Sequence, residues 1–172
     1  MDGLTLRDAT AADARAIAEI HVAAWRSAYR GLVPDAVLDG LSAEDREAMW
    51  RGGLVAPEPG WGCLVAEDRG NIVGFVGYGP PDDAEAGPDL GEIYAIYLEP
   101  TAVGTGIGRD LFAAGSRRLH DAGYRRAFLW VLETNDRARR FYERAGWAWD
   151  GTKSAHRFDC AELPIVRYAA DL

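Results

Sequence analysis

The sequence predicts a mixed α/β fold built on a sheet of about seven strands, because apolar period-two runs come before, between and after amphipathic helical stretches. Helix starts are marked by Thr, Ser or Asn, and the joins are punctuated by Gly and Pro. The 172 residues suit one domain spanning 1–172, and 48% apolar with 27% charged residues is a globular balance.

The elements follow in order. Leu4-Thr5-Leu6-Arg7 alternates as a first strand. Thr10-Ala11-Ala12-Asp13 has the capping-box pattern, and Ile17, Ile20, His21, Ala24 and Trp25 then share one helical stripe, with Gly31 and Pro34 ending the segment. Ser42-Ala43-Glu44-Asp45 opens a second helix through Met49 and Trp50, which Gly52-Gly53 is expected to stop. Cys63 to Glu67 and Ile72 to Tyr78 are strands joined by the tight-turn sequence Asp68-Arg69-Gly70-Asn71. Pro80 to Leu90 is a loop with four acids, Asp82, Asp83, Glu85 and Asp89.

Glu92 to Leu98 is apolar or aromatic at nearly every position, as in a central strand, and Pro100 ends it. A glycine loop leads into a helix carrying Leu111, Phe112 and Leu119, which ends at Gly123. Ala127 to Leu132 is a strand. Asn135 caps a helix with Ala138, Phe141, Tyr142 and Ala145 on one side, ending at Gly146. Trp147-Ala148-Trp149 and Ile165 to Tyr168 read as closing strands.

Charge and composition exclude several functions. No apolar run is long enough to span a membrane and the N-terminus has no secretory pattern, so a cytoplasmic protein is expected. Cys63 and Cys160 lack metal-ligand spacing and read as reduced, buried thiols; no metal is expected. With 27 acidic against 19 basic residues, the net charge of −8 argues against nucleic acid and leans toward a small cationic acceptor; the acidic loop fits such an acceptor or is simply a solvated loop.

The loop Gly104-Thr105-Gly106-Ile107-Gly108-Arg109, preceded by Val103, sits between strand and helix. A helix start has unpaired amides and partial positive charge, and glycines let a phosphate approach them; Arg109 could add a charged contact. A P-loop is excluded because Arg109-Asp110 stands where Lys-Ser or Lys-Thr is required, and the dinucleotide fingerprint fails because Arg109 replaces its third glycine. A ligand-free glycine turn stays open on the loop alone.

Ile96-Tyr97-Leu98-Glu99-Pro100 before this loop, and the run from Asn135 to Trp147 after it, resemble the GNAT superfamily of N-acetyltransferases, with the order of elements similar from Leu4 to Tyr168. The resemblance implies a mostly antiparallel seven-stranded sheet, splayed in the middle and flanked by about four helices. It implies transfer of an acetyl group from acetyl-CoA by direct attack to a primary amine of a small molecule or peptide, with no membrane or nucleic-acid partner. Relatives commonly dimerise, so a homodimer is left open. By the same resemblance, the backbone of Ile96, Tyr97 and Leu98 pairs with the pantetheine arm, Gly104 to Arg109 hold the pyrophosphate, Asn135 contacts the cofactor, and Tyr142 faces the sulfur and acts as acid. Glu92 matches a base used by some members, with a strand-edge carboxylate as the alternative. Two departures stand out. Val103 replaces a customary Gln or Arg, and Trp130 replaces a glutamate that is basic in some members; Glu133 is not given that role. His21 reads as a core histidine, His120 and His156 have no partner pattern, and Trp25 and Tyr29 belong to the core or to an acceptor wall. A non-catalytic acyl-CoA sensor on the same fold is the alternative function.

Overall fold

The computed structural model describes residues 3–81, 87–158 and 160–172. Among these residues seven strands form one sheet in the order β1 (Leu4–Asp8), β2 (Gly62–Asp68), β3 (Asn71–Gly79), β4 (Leu90–Leu98), β5 (Arg126–Leu132), β7 (Ala161–Asp171) and β6 (Ala148–Phe158). Neighbours are antiparallel except β4 and β5, which are parallel and pair only at Leu90↔Arg126, Gly91↔Ala127 and Glu92↔Phe128. Both strands continue beyond this point without pairing to each other, so the sheet parts in its middle. The expected mixed, mostly antiparallel and splayed sheet is thus observed.

Among the described residues there are five α-helices: α1 (Ala14–Ala28), α2 (Asp35–Asp39), α3 (Ala43–Val55), α4 (Ile107–Asp121) and α5 (Asp136–Arg144). Local chemistry explains their starts. Asp13 Oδ2 accepts from the Thr10 amide at 2.7 Å within a complete capping box ahead of α1. Ser42 Oγ accepts from the Asp45 amide at 3.2 Å, and Asn135 Oδ1 from the Ala138 amide at 3.1 Å. The β2–β3 hairpin turns through Arg69 and Gly70, both with positive φ (51° and 84°), the geometry of a type I′ turn.

Several boundaries differ from the sequence expectation. α3 runs through Gly52-Gly53 to Val55, because an isolated glycine pair weakens a helix without ending it. A Cβ at Gly53 would also stand 3.2 Å from the Trp61 ring, so the small residue serves close packing. Pro34 does not merely end the first segment; it precedes the short α2, its fixed φ suiting a helix start. β6 begins at Ala148, leaving Trp147 buried outside it, and extends to Phe158. Cys63 is buried, with burial pushing its thiol up to about 12, whereas Cys160 is exposed, contrary to the expectation of two buried thiols.

Apolar side chains fill both faces of the sheet. On one face α4 buries Leu111, Phe112 and Leu119 against Val76, Leu129 and Trp147. On the other, α1 and α3 bury Ile17, Ile20 and Trp50 against Val65 and Phe75, and α2 adds Leu38 beside Val33 and Leu132. The parting of β4 and β5 lies between these packed layers.

Candidate active site

A cavity of about 490 Å³ occupies the parting. Its walls come from β4 (Ile93 to Leu98), β5 (Leu129 to Val131), the glycine loop, the start of α5 and the end of α1. The cleft therefore reaches from the α4 face of the sheet to the α1 face.

At one end Gly106 is the N-cap residue of α4 with φ 96°, and Gly104 has φ 87°. A side chain resists this backbone, and the space beyond each Cα is open: a Cβ at Gly104 would meet nothing within 4 Å, and one at Gly106 only the Arg109 guanidinium at 3.9 Å. Thr105 Oγ1 donates to the Ala102 carbonyl at 2.6 Å and fastens the turn. Among the described residues no side chain caps α4, so its first amides are offered outward with the positive end of the helix dipole. Val103 and Gly108 line the cavity, whereas Arg109 is 75% exposed and lies beside Asp110 at 3.2 Å.

Asn135 is buried and lines the cavity; its oxygen caps α5, which leaves its NH₂ as a donor. Tyr142 also lines the cavity, with its ring against Phe112, Phe141 and Tyr168 on the α4 face. Burial, reinforced by the nearby Tyr97 hydroxyl, raises its pKa well above that of an ordinary phenol. Tyr142 therefore keeps its O–H and can donate a hydrogen bond at neutral pH. It cannot act as a base there.

Glu92 is half-buried, across from Gly79 on one side and Phe128 on the other, one residue outside the stretch of β4 that lines the cavity. Between β3 and β4 the register shifts: Gly77 faces Ala95 and Tyr78 faces Ile93, so Tyr94 bulges from the strand inside the cavity wall. Trp130 stands in the wall, with the Arg167 guanidinium 6.0 Å from its ring centroid. Glu133 forms an ion pair with Lys153.

Sequence reasoning treated Tyr97 only as backbone and Tyr29 as core or acceptor wall. Their hydroxyls stand 3.4 Å apart, within hydrogen-bonding distance, and both residues line the cavity. The signal available was the aromatic residue inside the central strand; its partner lies 68 positions away in sequence. His21 is a core residue as expected: Nδ1 accepts from Trp50 Nε1 at 3.1 Å, and burial, with Arg46 nearby, lowers its pKa to about 3. Its Nε2 is buried and makes no hydrogen bond among the described residues. His120 and His156 are exposed, and no metal-binding cluster occurs among the described residues. Of the four loop acids, Asp82, Asp83 and Glu85 lie outside the described residues.

Residues 15–147 match the profile of the Acetyltransferase (GNAT) family. The chain is 35% identical over 133 residues to the uncharacterized N-acetyltransferase YuaI of Bacillus subtilis, covering 77% of this chain and 73% of that one. Among solved structures, the PaiA N-acetyltransferase of Thermoplasma acidophilum in complex with coenzyme A superposes with a TM-score of 0.79 at 16% identity, covering 98% of this chain and 99% of that one. The yncA structure of Salmonella typhimurium with its cofactor acetyl-CoA superposes with a TM-score of 0.73 at 19% identity, covering 99% and 94%. The chain belongs to the acetyltransferase (GNAT) family of enzymes.

Proposed function

We propose that this enzyme transfers the acetyl group of acetyl-CoA, by direct attack, to a primary amine of a small molecule or peptide. The observation that carries this reading is a cleft between parted strands with an uncapped helix start and open glycines at one end, and a protonated Tyr142 in its wall. The fit to the donor is good on three counts. The open space at Gly104 and Gly106 takes phosphates against backbone amides. The free edge of β4 at Ile96 to Leu98 offers backbone partners to an extended pantetheine arm, as an added strand would use them. Asn135 supplies an amide donor between the two. Acetyl-CoA supplies the activated acyl group.

The protein residues then divide the work. Tyr142 O–H donates to the departing sulfur, whose thiol pKa of about 8.5 makes it a leaving group that one donor assists. The bulge at Tyr94 interrupts the ladder inside the cavity wall, where backbone amides can be aimed at the charge that develops on the carbonyl oxygen. An acceptor amine must be neutral to attack: at pH 7 this costs ~4.6 kcal/mol for a lysine-type amine and ~1 kcal/mol for an α-amino group. Glu92, next to Ile93 of the cavity wall, accepts that proton through water.

Calorimetric titration with CoA, followed by thiol release from acetyl-CoA with spermidine, glucosamine, lysine and a short peptide, tests the reading. CoA binding with thiol release from at least one amine is expected. Binding without release would favour the acyl-CoA sensor, and no binding would end the proposal. Tyr142→Phe is expected to lower kcat by about tenfold to a hundredfold with little change in CoA affinity, since it removes one donor used in the transition state. Unchanged kcat would remove the acid role. Glu92→Gln is expected to lower the rate at neutral pH and to recover as pH rises, because a neutral amine then needs no base; a pH-independent defect would leave Glu92 a structural carboxylate.

A further inference from the structure

The cleft opens to both faces of the sheet, and each face carries its own hydroxyl chemistry. Tyr142 packs on the α4 face against Phe112 and Tyr168. Tyr97 points to the opposite face, its ring stacked on His21 (centroids 5.0 Å apart, planes 22°), edge-on to Phe75 and tilted against Trp25. Tyr29, the residue that ends α1, brings its hydroxyl to within 3.4 Å of the Tyr97 hydroxyl.

Both phenols are held firmly. The Tyr29 carbonyl accepts from the Leu32 and Val33 amides, each at 2.9 Å, so the turn after α1 is closed on this residue. Its ring stands edge-on to Trp25 at 4.8 Å. Desolvation raises the pKa of both phenols, so neither ionises near neutral pH. Trp25 also stands against the Tyr97 hydroxyl; with Tyr97 donating to Tyr29, the pair spends one hydrogen on itself and keeps the Tyr29 O–H and a lone pair on the Tyr97 oxygen for a third group. Such a pair orients an incoming molecule but is too weak a base to deprotonate it.

The donor site set out above places phosphates at the start of α4 and sulfur at Tyr142, so the α1 face is left to the second substrate. We propose that the Tyr29–Tyr97 pair is the acceptor anchor of the cleft: the Tyr97 oxygen accepts an N–H hydrogen bond from the incoming primary amine, and Tyr29 fixes Tyr97 in place. An N–H donated to Tyr97 leaves the amine lone pair free for the thioester carbon; as the C–N bond forms and the C–S bond breaks, nitrogen releases one proton to water and the departing thiolate takes one up at Tyr142, giving the amide and the CoA thiol. Tyr97 touches substrate and Tyr29 is a positioning residue. This inference rests on the N-acetyltransferase reading above.

Steady-state kinetics on the full chain, with the fastest amine of the four-member panel as probe, decide it. Tyr97→Phe is expected to raise the acceptor KM about tenfold, the worth of one well-placed hydrogen bond, while CoA affinity stays within about twofold. Tyr29→Phe is expected to have a smaller effect in the same direction, and the double variant to be no worse than Tyr97→Phe alone, because the two hydroxyls act as one unit. Both substitutions keep the rings, so the melting temperature should hold. Tyr97→Leu removes the ring as well and serves as the packing control: its melting temperature should fall. An unchanged acceptor KM in folded Tyr97→Phe, additive single effects, or a shift confined to CoA affinity would each overturn the assignment while leaving the transferase reading intact. A wild-type chain that binds CoA but acetylates no amine of the panel would overturn both.

Discussion

Gly106→Ala is expected to weaken CoA binding by roughly tenfold to a hundredfold, with only a modest loss of stability. An L-residue in the left-handed region costs about 1–2 kcal/mol, and Gly106 sits at φ 96°. The protein itself leaves room for the new methyl group, whose nearest neighbour would be the Arg109 guanidinium at 3.9 Å. Strain is therefore relieved by rotating the turn, which takes the α4 amides off their target, and the methyl group occupies space that a phosphate needs. Gly52→Ala is the control. It lies within α3, where a Cβ would meet nothing within 4 Å, so alanine should stabilise the helix by about 0.5–1 kcal/mol and leave CoA binding alone. Calorimetric titration and thermal melting of both variants separate the two effects. Equal CoA affinity in wild type and Gly106→Ala would show that the pyrophosphate is not held at this turn.

The features legible in the sequence were those with local causes. The caps at Asp13, Ser42 and Asn135, the Arg69-Gly70 turn and the glycine loop each depend on residues a few positions apart, so their chemistry can be read directly. β6 was underestimated because its burial alternates weakly: most of its eleven residues are exposed, which erases the period-two signal. α2 is five residues long, too short for a helical stripe to declare itself. The acceptor wall was the least legible part of the site. The Tyr29–Tyr97 contact and the Trp50–His21 hydrogen bond join residues 68 and 29 positions apart, and only the packing of α1 and α3 on the sheet brings them together. The sequence likewise placed Glu92 on the central strand, but the cavity wall begins at Ile93.

Below neutral pH the fold is expected to weaken in two stages, and His21 governs the first. Its folded pKa is about 3, lowered first by burial and then by Arg46, against about 6.5 for an exposed imidazole. Between these values the unfolded chain takes up a proton that the folded chain refuses. The contribution of His21 is therefore complete above about pH 6.5 and is lost as pH falls, at no more than about 1.4 kcal/mol per pH unit. Asp13 governs the second stage. Hydrogen bonding to Arg7 lowers its carboxyl to about 2 from the usual 3.8, so its stabilisation is present above about pH 4 and disappears as pH drops through 2. From pH 6.5 to 5 only the histidine contributes of the two, at a cost of roughly 2 kcal/mol, or about 4–8 °C in Tm. His21→Gln offers the Trp50 indole N–H an oxygen acceptor in place of Nδ1 but has no titrating group. Its melting temperature should therefore stay nearly flat over that interval while the wild type falls; parallel curves for the two proteins would show that the buried imidazole does not set acid sensitivity. Because the His21 ring stacks on Tyr97, activity lost between pH 6.5 and 5 through this group should follow the unfolding curve, and His21→Gln should recover both together.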